Sequence, residues 1–174
     1  MELLEMMQNR RSVRSYTGET VSDECLENIL NAGLLAPSGR RIRPWELIVV
    51  RDKDTLKKLS DSRVGSAKML AGADAAIVVI ADETKTDVWT EDCSIVMAFM
   101  HLMADSLGVG SCWIQGRLRE APDGRTTEKY VSELLGFEEP YRLEAILSLG
   151  MPESHGQAVR LSELDREKVH YERF

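Results

Sequence analysis

Three arginines, Arg10, Arg11 and Arg14, stand around Ser12 in a chain whose formal net charge is −7. A guanidinium offers a rigid fork of donors that matches phosphate oxygens, and a serine hydroxyl adds a neutral donor. In an extended segment Arg10, Ser12 and Arg14 project to one side, because side chains alternate with a period of two. Such spacing lets three donors converge on one anion; the other reading is a solvated cluster paired with the chain's carboxylates. A second group lies in "APSGRRIRPW", residues 36–45. There Ser38 and the backbone at Gly39 offer close approach to a flat or anionic ligand, and Arg40, Arg41 and Arg43 add charge. The same residues also serve as a plain helix-to-strand connection anchored by Trp45. A third group is the end of "GSCWIQG", where a strand closing on Gln115 and Gly116 leaves backbone N–H groups free to donate. Arg160 is an isolated cation beyond the last strand. Cys112 has no acid or base that the sequence places beside it, so it reads as a structural thiol. His155 reads as a loop histidine, either solvated or a general acid.

Composition narrows the partner of these donors. A sequence pI of about 5.1 argues against general nucleic-acid binding, which needs a broad basic surface. A local basic cluster in an acidic chain points instead to a small anionic ligand. The three cysteines, Cys25, Cys93 and Cys112, match no zinc spacing, and His101, His155 and His170 are far apart, so no metal is expected. No run of about 18 uncharged apolar residues is present, so no membrane span is expected. The N-terminus lacks a cationic start followed by an apolar stretch, and reduced thiols complete the expectation of a cytoplasmic protein. With 174 residues, 43% of them hydrophobic, the chain suits one domain or one protomer of a compact dimer.

The elements that must position these groups follow from periodicity and punctuation. "LLEMMQN" (3–9) predicts a short helix. "SDECLENILNAGLLA" predicts a helix capped by Ser22, with Leu26, Ile29, Leu30 and Leu34 on its buried face and Pro37 ending it. Strands are expected at Trp45–Val50, Ala75–Ala81, "GSCWIQG" and "RLEAILSLGMP". Asp52 caps a short helix after the first strand, and "TTEKYVSELLG" forms another that stops at Gly136. Asp87–Leu107 is the longest helical pattern and is apolar almost all round, so it must be covered on several sides, for which a second subunit is one good means. The polar tail, about 160–174, is expected to wrap across a surface. Four strands among helical segments indicate a layered α/β or α+β domain. No GxGxxG or GxxxxGK[ST] cradle is present.

Taken in order, an N-terminal helix, RRSxR, a helix, APSxxxxxPW and a strand resemble the flavin-dependent nitroreductase family. The similarity continues through "AGADAAIVVIAD", "EDCSIVMAFMHLMADSLGVGSCWIQG", "LSLGMP" and a polar tail with an arginine, covering nearly the whole chain. The resemblance implies an α+β nitroreductase-like fold, a central mostly antiparallel sheet flanked by helices. It also implies an intertwined homodimer with two FMN molecules at its interface and a tail crossing to the partner. In it, Arg10, Ser12 and Arg14, with Arg11, match the FMN contacts to phosphate, ribityl and pyrimidine edge. Arg160 matches a C-terminal phosphate ligand. Pro37, Ser38, Gly39 and Arg41 match the stretch that the other subunit lays against the flavin. Trp113 and Ile114 lead to Gln115 and Gly116, whose backbone N–H faces flavin N5, and Lys68 supplies a further positive group. The loop departs from the family's APSxxNxQPW at Arg41 and Arg43, and Ala158 replaces a family lysine.

The implied activity is that of an FMN oxidoreductase in which NADH or NADPH delivers hydride to N5 and a nitroaromatic, quinone or related acceptor removes it by a ping-pong scheme. No protein nucleophile is implied. The same fold also accommodates reductive dehalogenation, flavin fragmentation or azoline dehydrogenation, and a non-catalytic flavin-binding module is the reading from another class.

Overall fold

The computed structural model describes residues 2–174. Its frame is a four-stranded antiparallel sheet in the order β1-β2-β4-β3, with β1 at Trp45–Val50, β2 at Ala75–Asp82, β3 at Gly110–Gln115 and β4 at Tyr141–Gly150. The two central strands, β2 and β4, are almost continuously buried, because both faces of the sheet are covered. Helices α2 (Asp23–Leu34) and α4 (Trp89–Ser106) cover one face, where Ile29, Val96, Met97 and Met100 pack with Ile77, Val79, Leu147 and Leu149. Helix α3 (Lys53–Leu59), a 3-10 turn at Lys68–Gly72 and helix α5 (Thr127–Leu135) cover the other. There Leu56, Leu59, Leu70 and Val131 pack with Val78, Ile80 and Ile146. Helix α1 (Leu3–Asn9) lies against α4.

Local signals set the ends of these helices. The Ser22 hydroxyl accepts the Cys25 N–H at 3.2 Å, Asp52 accepts the Thr55 N–H at 2.8 Å, and Thr126 accepts the Lys129 N–H at 3.1 Å. Each side-chain acceptor satisfies a donor that the first helical turn leaves without a partner. Helices α2 and α4 cross closely at Gly33, where an added Cβ would come within 2.8 Å of the Met100 Cγ.

Two irregularities bear on function. Between β2 and β4 the register shifts: Val79 faces Ala145 but Ile80 faces Leu143, which leaves Glu144 as the extra residue of a bulge. Bulges re-aim a side chain out of the regular alternation, and here the re-aimed residue is a buried acid. The second is the chain that follows α1. Ser12 bridges Ser111 on the outer edge of β3, the Val13 N–H donates to the Ser111 carbonyl at 2.9 Å, and Tyr16 bridges Pro152 beyond β4. Val13 turns inward onto Gly110, where a Cβ would stand 2.8 Å from its Cγ1. The segment is thereby held along the sheet edge.

Candidate functional site

The side chains of the held segment alternate as its extended form requires. Val13 is buried, whereas Ser12 and Arg14 are exposed and Arg10 is half-buried. Arg10, Ser12 and Arg14 therefore share the open side. Among the described residues, none of Arg10, Arg14 and Arg160 forms an ion pair with a carboxylate.

What holds Arg10 is a histidine. Its Nη1 donates to the Nε2 of His101 at 2.9 Å, and the other ring nitrogen, Nδ1, lies 2.5 Å from the Ser111 hydroxyl. An arginine only donates, so Nε2 is the bare nitrogen and Nδ1 carries the proton. Burial, and after it the charge of Arg10, lowers the His101 pKa to about 4, against an opposing pull from Asp105. His101 is thus a neutral acceptor beneath a permanent cation.

One helical turn on, Asp105 collects three donors. Its Oδ1 accepts the Arg11 N–H at 3.1 Å and faces the His155 Nε2 at 2.7 Å, while Oδ2 accepts from the Asn9 amide at 3.0 Å. Arg11 itself faces inward along the chain. Its Nε donates to the Gln157 carbonyl at 2.7 Å, its Nη2 to the Gln8 carbonyl at 2.6 Å, and its Nη1 to the Arg10 carbonyl. The expectation that Arg11 joins the anion-binding donors is corrected: three backbone carbonyls occupy its guanidinium, which ties residues 8–11 to the tail.

At the end of β3 the backbone donors separate. The N–H groups of both Gly116 and Arg117 donate to the Glu144 carbonyl, at 3.0 and 2.9 Å. In an antiparallel ladder directly opposed residues alternate between bonded and non-bonded pairs. The bonded Gly116–Glu144 pair therefore turns the N–H groups of Ser111, Trp113 and Gln115 outward, to the edge that Ser12 and Val13 line at Ser111. The Gly116 N–H is a correction, since it is used within the sheet; Gln115 supplies the donor at the edge. Its side chain is locked, with Oε1 accepting from the Trp113 indole at 2.8 Å and Nε2 donating to the Glu144 carbonyl at 3.3 Å. Ile114 is fully buried in the opposite core, so its side chain does not reach the edge. Burial raises the Glu144 carboxyl pKa, and its Oε2 has no hydrogen-bond partner among the described residues.

The loop before β1 is a separate construction. The Gly39 N–H donates to Asp92 Oδ1 at 2.9 Å, and the Ser38 hydroxyl accepts the Arg43 N–H at 3.0 Å. Asp92 is buried in the first turn of α4, and its Oδ2 has no hydrogen-bond partner among the described residues. Arg40, Arg41 and Arg43 all adopt left-handed backbone, with φ of 52°, 60° and 51°. Pro37, Arg40, Arg41 and Arg43 are exposed, and Ser38 and Gly39 half-buried.

Lys68 pairs with Asp61 at 2.5 Å on the α3 side of the sheet, away from the residues 10–14 grouping. Arg160 is exposed and follows directly on Val159, whose N–H donates to the Gln8 carbonyl at 2.9 Å. Burial raises the pKa values of Cys93 and Cys112, which suits structural thiols. His155 is exposed but not free, since its Nε2 is bonded to Asp105. His101, Asp105, Asp92 and Glu144 escaped the sequence reading. Their signal was present: three of them are polar residues set within the otherwise apolar α4, and the fourth lies inside β4.

The Nitroreductase family model matches residues 7–64 and 59–151. An FMN-dependent nitroreductase from Clostridium difficile R20291 superposes with a TM-score of 0.96 at 43% identity, covering 99% of this chain and all of that one. An Archaeoglobus fulgidus protein with the provisional name NADH dehydrogenase/NAD(P)H nitroreductase is 37% identical over 99% of both chains. A Desulfovibrio desulfuricans protein provisionally named a nitroreductase, solved in complex with FMN, has a TM-score of 0.81 at 26% identity, covering all of this chain and 98% of that one.

Proposed function

Because this chain belongs to the nitroreductase family, we propose that it is an FMN-dependent oxidoreductase using NADH or NADPH to reduce nitroaromatics, quinones or related acceptors by ping-pong hydride transfer. The observation that carries the reading onto this chain's own residues is the donor set on the β3 edge. Arg10, Ser12 and Arg14 share one open side without carboxylate partners, and the outward Gln115 N–H lies farther along the same edge. Donors without carboxylate partners fit a ligand that is rich in acceptors, with a phosphate at one end and ring carbonyls and nitrogens at the other.

Bound FMN would supply the hydride exchange, which no side chain here can perform. Arg10, steadied by His101, and Arg160 would hold its phosphate, and Ser12 its ribityl chain. Arg14 would place fixed positive charge at the pyrimidine edge, where it favours the build-up of negative charge. The Gln115 N–H would donate toward N5, and the Trp113–Gln115–Glu144 contacts keep that peptide from rotating.

The proposed assembly is a homodimer. Within one chain α4 buries a single stripe and leaves Phe99 exposed and Ile95, Leu102 and Met103 half-buried. The tail presents Leu161, Leu164, Val169, Tyr171 and Phe174 to solvent. A second copy would cover both sets, and its Pro37–Gly39 stretch would close over the flavin. Among the described residues no helix is long and apolar enough to cross a membrane.

The visible absorption spectrum of the purified protein, followed by NADH and NADPH oxidation with a quinone, tests the reading. Flavin bands with steady oxidation are expected. A colourless protein that takes up no added FMN overturns it, and flavin binding without turnover leaves only the binding module.

A further inference from the structure

The stretch from His155 to Val159 is fastened at four points, three on the N-terminal segment and one on Asp105 of α4. His155 Nε2 meets Asp105 Oδ1 at 2.7 Å; Arg11 Nε donates to the Gln157 carbonyl at 2.7 Å; the Val159 N–H donates to the Gln8 carbonyl and the Gln8 amide donates back to the Val159 carbonyl, both at 2.9 Å. Every fastening lands on residues 8–11 or on Asp105, which itself holds Asn9 and Arg11. The tail beyond has nothing comparable: from residue 160 to 174 all side chains are exposed, and its backbone bonds are local turns. Arg160 is the first residue past the last fastening. The Asp105 carboxylate is nearly buried, with side-chain exposure of 4%, whereas His155 is 33% exposed, so the contact is a surface side chain reaching into a fixed acceptor.

We propose that His155 and Asp105 form a latch that docks the tail onto residues 8–11 and thereby places Arg160 beside Arg10 to complete the phosphate-binding end of the flavin site. His155 acts through Arg160 and is a positioning residue. The proposal rests on the flavin reading above and adds to it the device that joins two sequence-distant arginines. A long, exposed arginine loses side-chain and backbone freedom on gripping a ligand, and a chain already docked one residue earlier has less to lose.

The test is FMN dissociation measured on the purified full-length protein and three variants: His155→Ala, Arg160→Ala and the two together. His155→Ala is expected to weaken FMN binding about tenfold, and in the Arg160→Ala background to change it less than twofold. Such non-additivity is the mark of two groups acting as one. His155→Gln keeps an N–H donor for Asp105 and is expected to recover most of the affinity. Amide exchange at Val159 gives a readout that needs no flavin: His155→Ala should speed it, and His155→Gln should restore it. Equal losses in both backgrounds, or Val159 exchange unmoved by His155→Ala, overturn the latch. A wild-type protein that takes up no FMN overturns the flavin reading, and the functional half of this proposal with it, whatever Val159 does.

Discussion

Arg10 and His101 share one hydrogen bond but make separable contributions. Arg10→Ala would remove the proposed charge-assisted phosphate contact, worth roughly 1.5–3 kcal/mol. FMN affinity should therefore fall by about one to two orders of magnitude in a fluorescence titration. His101 acts through acid stability. Its pKa is about 4 in the fold, chiefly from burial, and about 6.5 in the unfolded chain. Between those values the unfolded chain takes up a proton that the fold refuses, so the neutral ring's contribution is complete above about pH 6.5 and is lost as pH falls toward 4. The loss approaches about 3 kcal/mol at the acid end. Urea midpoints at pH 7 and pH 4.5 should differ less in His101→Gln than in the wild type, because the glutamine does not titrate.

The loop before β1 shows strain that one element imposes on its residues. Left-handed backbone costs a non-glycine residue about 1–2 kcal/mol, and glycine's greater unfolded freedom offsets about 0.5–1 kcal/mol of any gain. Arg43→Gly should accordingly stabilise the protein by about 0.5 kcal/mol, read as a raised denaturation midpoint. Asp92→Ala should act in the opposite direction by about 1–3 kcal/mol, since it strips the buried acceptor from the Gly39 N–H. At this scale the sequence is readable where the cause is local. The caps at Ser22 and Asp52, the stop at Gly136 and strand Trp45–Val50 all lie where their residues place them. The period-two spacing of Arg10, Ser12 and Arg14 is local too, and the held segment sets Ser12 and Arg14 on the side opposite the buried Val13. Hidden were features that depend on distant partners. The Gly116 N–H is consumed by Glu144 because the regular β3–β4 register carries on past Gln115 and Ala145 and sets the two residues opposite each other. His155 is bonded because the tail returns to Asp105, a residue 50 positions earlier. Arg40, Arg41 and Arg43 adopt positive φ although arginine carries no preference for it.

Across the whole molecule, the question is where the uncovered apolar surface goes. Phe99 on α4 and the apolar side chains of the tail are open in one chain, and surfaces of this kind mark interaction sites. Light scattering should give the mass of a dimer. Phe99→Glu should shift the population toward monomer and, because the proposed flavin site is shared between copies, lower flavin occupancy in parallel. A variant that remains fully dimeric would place the subunit contact elsewhere.

The strand order β1-β2-β4-β3 also dictates a sequence of events during synthesis. β4, the last strand made, inserts between β2 and β3. Until Tyr141–Gly150 is available, β2 has only β1 beside it and β3 has no strand neighbour at all. Such non-local pairing slows folding. It also means that a nascent chain stalled after α5 exposes the inner edge of β3, Gly110–Gln115, which β4 covers in the finished protein, and that makes this stage the one at which a chaperone has the most to protect.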